Sequence, residues 1–187
     1  MSILFEAFWP VIPTFFGFIL ILLLISIYIN RKFGYRLNTY KKMRDFVLFV
    51  GMMMSVIGIL LITLMPTNIE GHTLNLVPFQ AMRELYYYGT YDAIINNIGM
   101  NIVLFIPLGF FIYLITEKDF LTSILGCLLS ISIETLQYVL PLGRTTNIDD
   151  VILNVVGTLI GILIAYFFKK AEIFIIGYIS RDNSWRS

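Results

Sequence analysis

The 187-residue chain is 58% hydrophobic and 13% charged, with a formal net charge of +1. Soluble domains run nearer half apolar and a quarter charged. With a mean hydropathy of +0.85, this balance places the chain in a membrane and excludes a soluble enzyme or a basic nucleic-acid binder. Cys127 is the only cysteine and lies in an apolar run, which excludes a disulfide framework and a thiolate metal site.

Crossing a hydrocarbon core of about 30 Å takes about 20 helical residues, and five stretches are long and apolar enough. The first runs from Phe8 to Ile29, with Pro10 and Pro13 where a first helical turn tolerates them. A cleaved signal would begin with basic residues; this start carries Glu6 instead, so the first run reads as a retained span. The second runs from Phe46 to Met65 and is ended by Pro66. The third spans Asn97 to Ile115, the fourth Phe120 to Leu140, and the fifth Val151 to Phe168. Each is apolar on all sides, as spans are and amphipathic surface helices are not. The fold class is therefore all-α: one membrane domain over 1–187, a polytopic bundle of about five transmembrane helices.

Basic residues set the expected orientation. Eleven of the thirteen lie in the first loop (Arg31, Lys32, Arg36, Lys41, Lys42, Arg44), at Lys118, or after the fifth span (Lys169, Lys170, Arg181, Arg186). Only Arg83 and Arg144 fall on the other side. The positive-inside rule then puts the N-terminus outside and the C-terminus, with the 171–187 tail, in the cytoplasm. The tail is too short for another span and is expected on the inner surface.

The long 66–96 connection is expected outside. Tyr86, Tyr87, Tyr88 and Tyr91 suit a headgroup layer, and Phe79, Met82 and Tyr86 recur at helical spacing, as in a short interfacial helix. The alternative is a re-entrant turn around Leu74–Phe79, whose backbone must then be buried in protein or wet. His72, beside Glu70, reads as a solvated loop histidine.

Polar groups inside spans are the chemically informative residues, since hydrocarbon tolerates them poorly. On the fourth span Ser130, Glu134, Gln137 and Tyr138 share a face by helical spacing. Glu134 lies about 9 Å below the helix end, at 1.5 Å per residue, and an ionised carboxylate there needs a cation or several donors. Arg144 is the nearest outside cation in sequence, in a turn that Pro141 and Gly143 allow to fold back. The pair reads equally as a functional site or as a structural staple.

On the fifth span Asp150, Asn154, Gly157 and Gly161 form one stripe. Asp149 and Asp150 suit a first helical turn, with Thr146 or Asn147 as cap, and Gly157 with Gly161 lets a neighbouring helix approach closely. Asn97 and Asn101 share a face of the third span. Its Pro107 removes a backbone hydrogen bond, and Gly109 allows close contact. No nucleophile elbow, zinc-binding helix, phosphate loop or paired histidines are present, which favours binding over catalysis. Oxygen ligands from Asp149 and Asp150 with Glu134 leave a divalent ion open as an alternative, although no metal or cofactor is assigned.

Three blocks resemble the VanZ-like membrane proteins: LNLVPF at 74–79, NNIGMNIVLFIPLGFF at 96–111 and ETLQYVLPLGRTTNIDDVILNVVGTLIG at 134–161. The last is the most specific, and the likeness is strongest over 46–168. The resemblance implies a multi-pass protein of the bacterial cell membrane associated with resistance to the lipoglycopeptide teicoplanin. Its implied partners are the lipid bilayer and a lipid-linked cell-wall precursor, a phospholipid headgroup or the lipoglycopeptide itself, with no nucleic acid. The candidate ligand-binding residues are Glu134, Gln137, Arg144, Asp149, Asp150, Asn154, Asn97 and Asn101. Three readings stand: a binding or shielding protein; an intramembrane enzyme on a lipid headgroup, with Glu134 as acid/base, Arg144 on phosphate and Asp149 or Asp150 on metal; and a structural subunit.

Overall fold

Hydropathy and helix coincide along most of the chain. The computed structural model describes residues 40–66 and 74–183; the first expected span, Glu70 and His72 lie outside them. Helix α1 is Tyr40–Thr63. A two-residue strand, β1 (Leu74–Asn75), leads into the short helix α2 (Gln80–Tyr88). Helix α3 covers Tyr91–Thr116, α4 is Asp119–Val139, β2 is Thr146–Asn147, and α5 is Ile148–Asn183. Four of these, α1, α3, α4 and α5, are long and apolar enough to cross a membrane. The fold is an all-α bundle, and the chain is a multi-pass membrane protein.

The helix limits follow local chemistry. Helix α3 ends at Glu117, whose φ of 56° puts it in the left-handed region, and a two-residue link turns the chain into α4. Pro107 sits inside α3. Helix α1 starts six residues before its expected span, because the charged stretch ahead of Phe46 is helical although not apolar. Helix α5 likewise runs on past Lys169 and Lys170 without a break, so residues 171–183 continue the last helix.

Side chains invert the usual soluble pattern: large apolar groups such as Val103, Leu128, Leu159 and Leu163 are exposed around the bundle, where lipid replaces water as solvent. The interior is closed by glycine. A Cβ on Gly157 would overlap the Ile102 carbonyl, one on Gly161 the Ile106 carbonyl, and one on Gly109 the backbone of Thr158. The two backbones of α3 and α5 are thus in direct contact, which only residues without side chains permit. Beside this seam Ile59, Phe105, Leu108, Ile112 and Ile133 form the core. A second cluster of Leu48, Tyr113, Leu114, Ile162 and Ala165 fills the far end, where Lys169 pairs with Glu117 at 2.6 Å.

Two loops meet at the opposite end. Strand β1 pairs in parallel with β2, Leu74 opposite Thr146 and Asn75 opposite Asn147. Of the two forms expected for this region, 80–88 is the short helix; none of its residues is buried, and Tyr86, Tyr87 and Tyr88 are exposed.

Candidate functional site

The end of α1, the start of α3, the end of α4, the 140–147 turn and the start of α5 enclose a polar cavity of about 320 Å³. Each wall is fixed by a different solution to the same problem, that helix ends leave backbone groups without partners.

At the α1 end, carbonyls face the cavity with no further turn to bond. Gln137 Nε2 donates to Thr63 O at 2.8 Å. Arg144 donates through Nε to Met65 O at 2.9 Å and through Nη2 to Ile62 O at 3.0 Å. A cation at a helix C-terminus is favourable. Arg144 does fold back over the bundle as its turn suggested, but onto carbonyls: no ion pair joins it to Glu134, Asp149 or Asp150 among the described residues. Burial pulls its guanidinium below the ordinary range, and the Glu134 and Asp150 carboxylates push it back up.

Glu134 is 7% exposed. Its Oε2 accepts from the Asn147 backbone N–H at 3.1 Å, and its own carbonyl accepts from the Thr146 hydroxyl at 3.3 Å. The α4 end and the turn are therefore stitched together, and the Thr146 hydroxyl is engaged there. Ser130 and Gln137 are buried beside Glu134, whereas Tyr138 is exposed and leaves that face.

The two aspartates of α5 diverge, as neighbours on a helix must. Asp150 lines the cavity and accepts from Asn101 Nδ2 at 2.7 Å, joining α5 to α3. Asp149 turns away: its carboxylate accepts from the backbone N–H groups of Phe79 and Met82. It thereby supplies the N-terminal cap that α2 lacks locally, since Phe79 is in the left-handed region at φ 64° and makes no side-chain cap bond. This removes Asp149 from any shared metal set with Glu134. Among the described residues no three His, Cys, Asp or Glu side chains converge as metal ligands.

Asn154 lies deeper, 2% exposed. Its Nδ2 donates to Ser130 Oγ at 2.8 Å, and its Oδ1 is a buried polar atom with no hydrogen-bond partner among the described residues. Asn97 lines the rim, but its Nδ2 donates to Ala93 O within its own helix. Around it Ile95–Gly99 forms a single π turn, a feature that recurs at functional sites. Asn96, Thr63, Thr145 and Asn147 also line the cavity and were not among the expected site residues.

The model of the VanZ/LLP1 family matches residues 16–169. The chain belongs to the VanZ/LLP1 family. The match reaches back into the first expected span and ends within α5, so it contains every cavity residue. No curated protein matches the chain, and no solved structure does. In this VanZ/LLP1 member the cavity combines one guanidinium, two carboxylates and several amides in an otherwise apolar bundle. Such a set can recognise a polar headgroup at the level where the helices end.

Proposed function

We propose that this VanZ/LLP1-family protein resides in the bacterial cell membrane and supports resistance to teicoplanin by binding, at the outer face, the polar group of an envelope lipid, a lipid-linked wall precursor or the antibiotic. The observation that carries this reading is the cavity of about 320 Å³ among the helix ends, walled by Arg144, Glu134, Asp150, Asn101 and Asn154. The tyrosines of α2 and Tyr91, exposed beside it, suit a headgroup layer. The eleven-to-two split of basic residues supports an outward orientation for this end. Binding is favoured over catalysis because Gln137 and Arg144 are engaged with backbone carbonyls and Glu134 with a backbone amide.

The test is expression in a teicoplanin-sensitive strain, with susceptibility measured beside lipid and wall mass spectrometry. Raised resistance with unaltered lipid and wall composition is expected. A new lipid or wall species would replace binding with chemistry on a headgroup, and unchanged susceptibility at normal protein level would remove the resistance role. Cysteine placed at Thr145 in a Cys127→Ser background should label from outside, and cysteine at Lys118 should not. The reverse pattern would overturn the outer-face reading.

A further inference from the structure

Resting on the reading that the cavity binds a headgroup, the inventory of donors and acceptors narrows what that group is. Each amide nitrogen that bonds across the cavity gives one of its two N–H groups: Asn101 Nδ2 to Asp150, Gln137 Nε2 to Thr63 O, Asn154 Nδ2 to Ser130. Two nitrogens of Arg144 are held by carbonyls. The buried side-chain atom left without a partner among the described residues is an acceptor. Asn154 Oδ1, on a residue only 2% exposed, has no partner. Glu134 accepts from the Asn147 backbone N–H, and Asp150 accepts from the Asn101 and Asn147 side chains, which leaves acceptor positions on both carboxyl groups.

We propose that the cavity takes a primary ammonium group, with Glu134, Asp150 and the Oδ1 of Asn154 as its acceptors. An ammonium carries three donors and no acceptor, which complements an unpartnered amide oxygen in a cavity also lined by two carboxyl groups. An ionised phosphate brings only acceptors and so leaves Asn154 Oδ1 without a bond. A quaternary ammonium supplies charge but no N–H, and so leaves Asn154 Oδ1 without a bond. The ammonium of an aminophospholipid and that of a water-soluble amine share this chemistry.

The experiment uses the full chain in detergent and measures retention by native mass spectrometry of three lipids with identical acyl chains: phosphatidylethanolamine, phosphatidylcholine and phosphatidylglycerol. Glycerophosphoethanolamine serves as the chain-free competitor. Phosphatidylethanolamine should be retained at least tenfold more tightly than either other lipid, and Asp150→Asn and Asn154→Ala should each erase that preference in protein that stays monodisperse. Displacement by glycerophosphoethanolamine would assign recognition to the headgroup alone; preference for the lipid without displacement would assign it to an aminophospholipid in the bilayer. Equal retention of phosphatidylcholine, or tighter retention of phosphatidylglycerol, overturns the ammonium assignment and leaves headgroup binding standing. Retention of neither phosphatidylethanolamine nor its chain-free analogue also overturns it. The susceptibility assay decides the resistance role independently. Should either variant fail to fold, the wild-type lipid comparison remains decisive.

Discussion

Replacing Asp149 should release α2 while leaving the cavity wall in place. The carboxylate is 2% exposed and accepts from two backbone N–H groups, those of Phe79 and Met82. Hydrogen bonds to a charged group contribute about 1.5–3 kcal/mol each, so Asp149→Ala removes about 3–6 kcal/mol of anchoring. No buried residue of α2 offers compensating apolar contact. An asparagine side chain in its place would keep one acceptor oxygen and turn an NH₂ toward the other N–H, losing about half. At about 1.4 kcal/mol per tenfold, Asp149→Asn should speed hydrogen exchange of the 79–88 amides by roughly 10- to 150-fold, and Asp149→Ala by at least a hundredfold. Amides of α4 and the core of α3 should change little. Unaltered exchange in α2 would refute the capping role. So would loss of protection confined to the cavity wall, which would return Asp149 to the site.

Gly157→Leu should sharply lower the yield of folded protein, because the overlap is with the Ile102 backbone, which cannot rotate away; Ile160→Leu should be tolerated, both judged by monodispersity in detergent. Arg144→Ala should lose two charge-assisted bonds to carbonyls at and just past the end of α1, about 3–6 kcal/mol, and Arg144→Lys about half of that, since an ammonium cannot span two separate carbonyls as the guanidinium does; thermal unfolding would rank them. The Glu117 carboxyl is held below its ordinary value by its hydrogen bond and charge interaction with Lys169. A depressed carboxylate stabilises the fold above its unfolded pKa and loses that contribution as pH falls through the folded value. Wild type should therefore show a small, salt-sensitive advantage over Glu117→Gln near neutral pH that fades in acid.

Hydropathy carried the spans with little ambiguity. Helix α4 begins and ends within a residue of its expected limits, because apolar length is what a bilayer selects. Polar residues within spans were equally visible: Glu134, Asp150 and Asn154 stand out by type alone, and all three line the cavity. Their partners were not visible. Arg144 bonds backbone carbonyls 79 and 82 residues away, and carbonyls carry no sequence signal. Asp149 and Asp150 look alike in the chain, yet one step of helical rotation sends the first to α2 and the second to Asn101. Asn96 was hidden because a π turn changes the spacing that places side chains on a face, and a regular helical period puts Asn97 and Asn101 together instead.

The pairing of β1 with β2 bears on the order in which the protein is made. The groups that fix the 74–88 segment, Thr146, Asn147 and Asp149, lie about seventy residues downstream of it. At roughly 5–20 residues per second a ribosome needs roughly 4–14 s to supply them. Until then α2 has no anchor, and the last carbonyls of α1 wait equally long for Gln137 and Arg144. The nascent chain therefore emerges with its 74–88 segment unsettled, and insertion of the final hairpin is the event that fixes it. A chain halted after α4 would leave 74–88 unanchored, so proteases should cut that segment faster there than in the finished chain, where Asp149 caps α2.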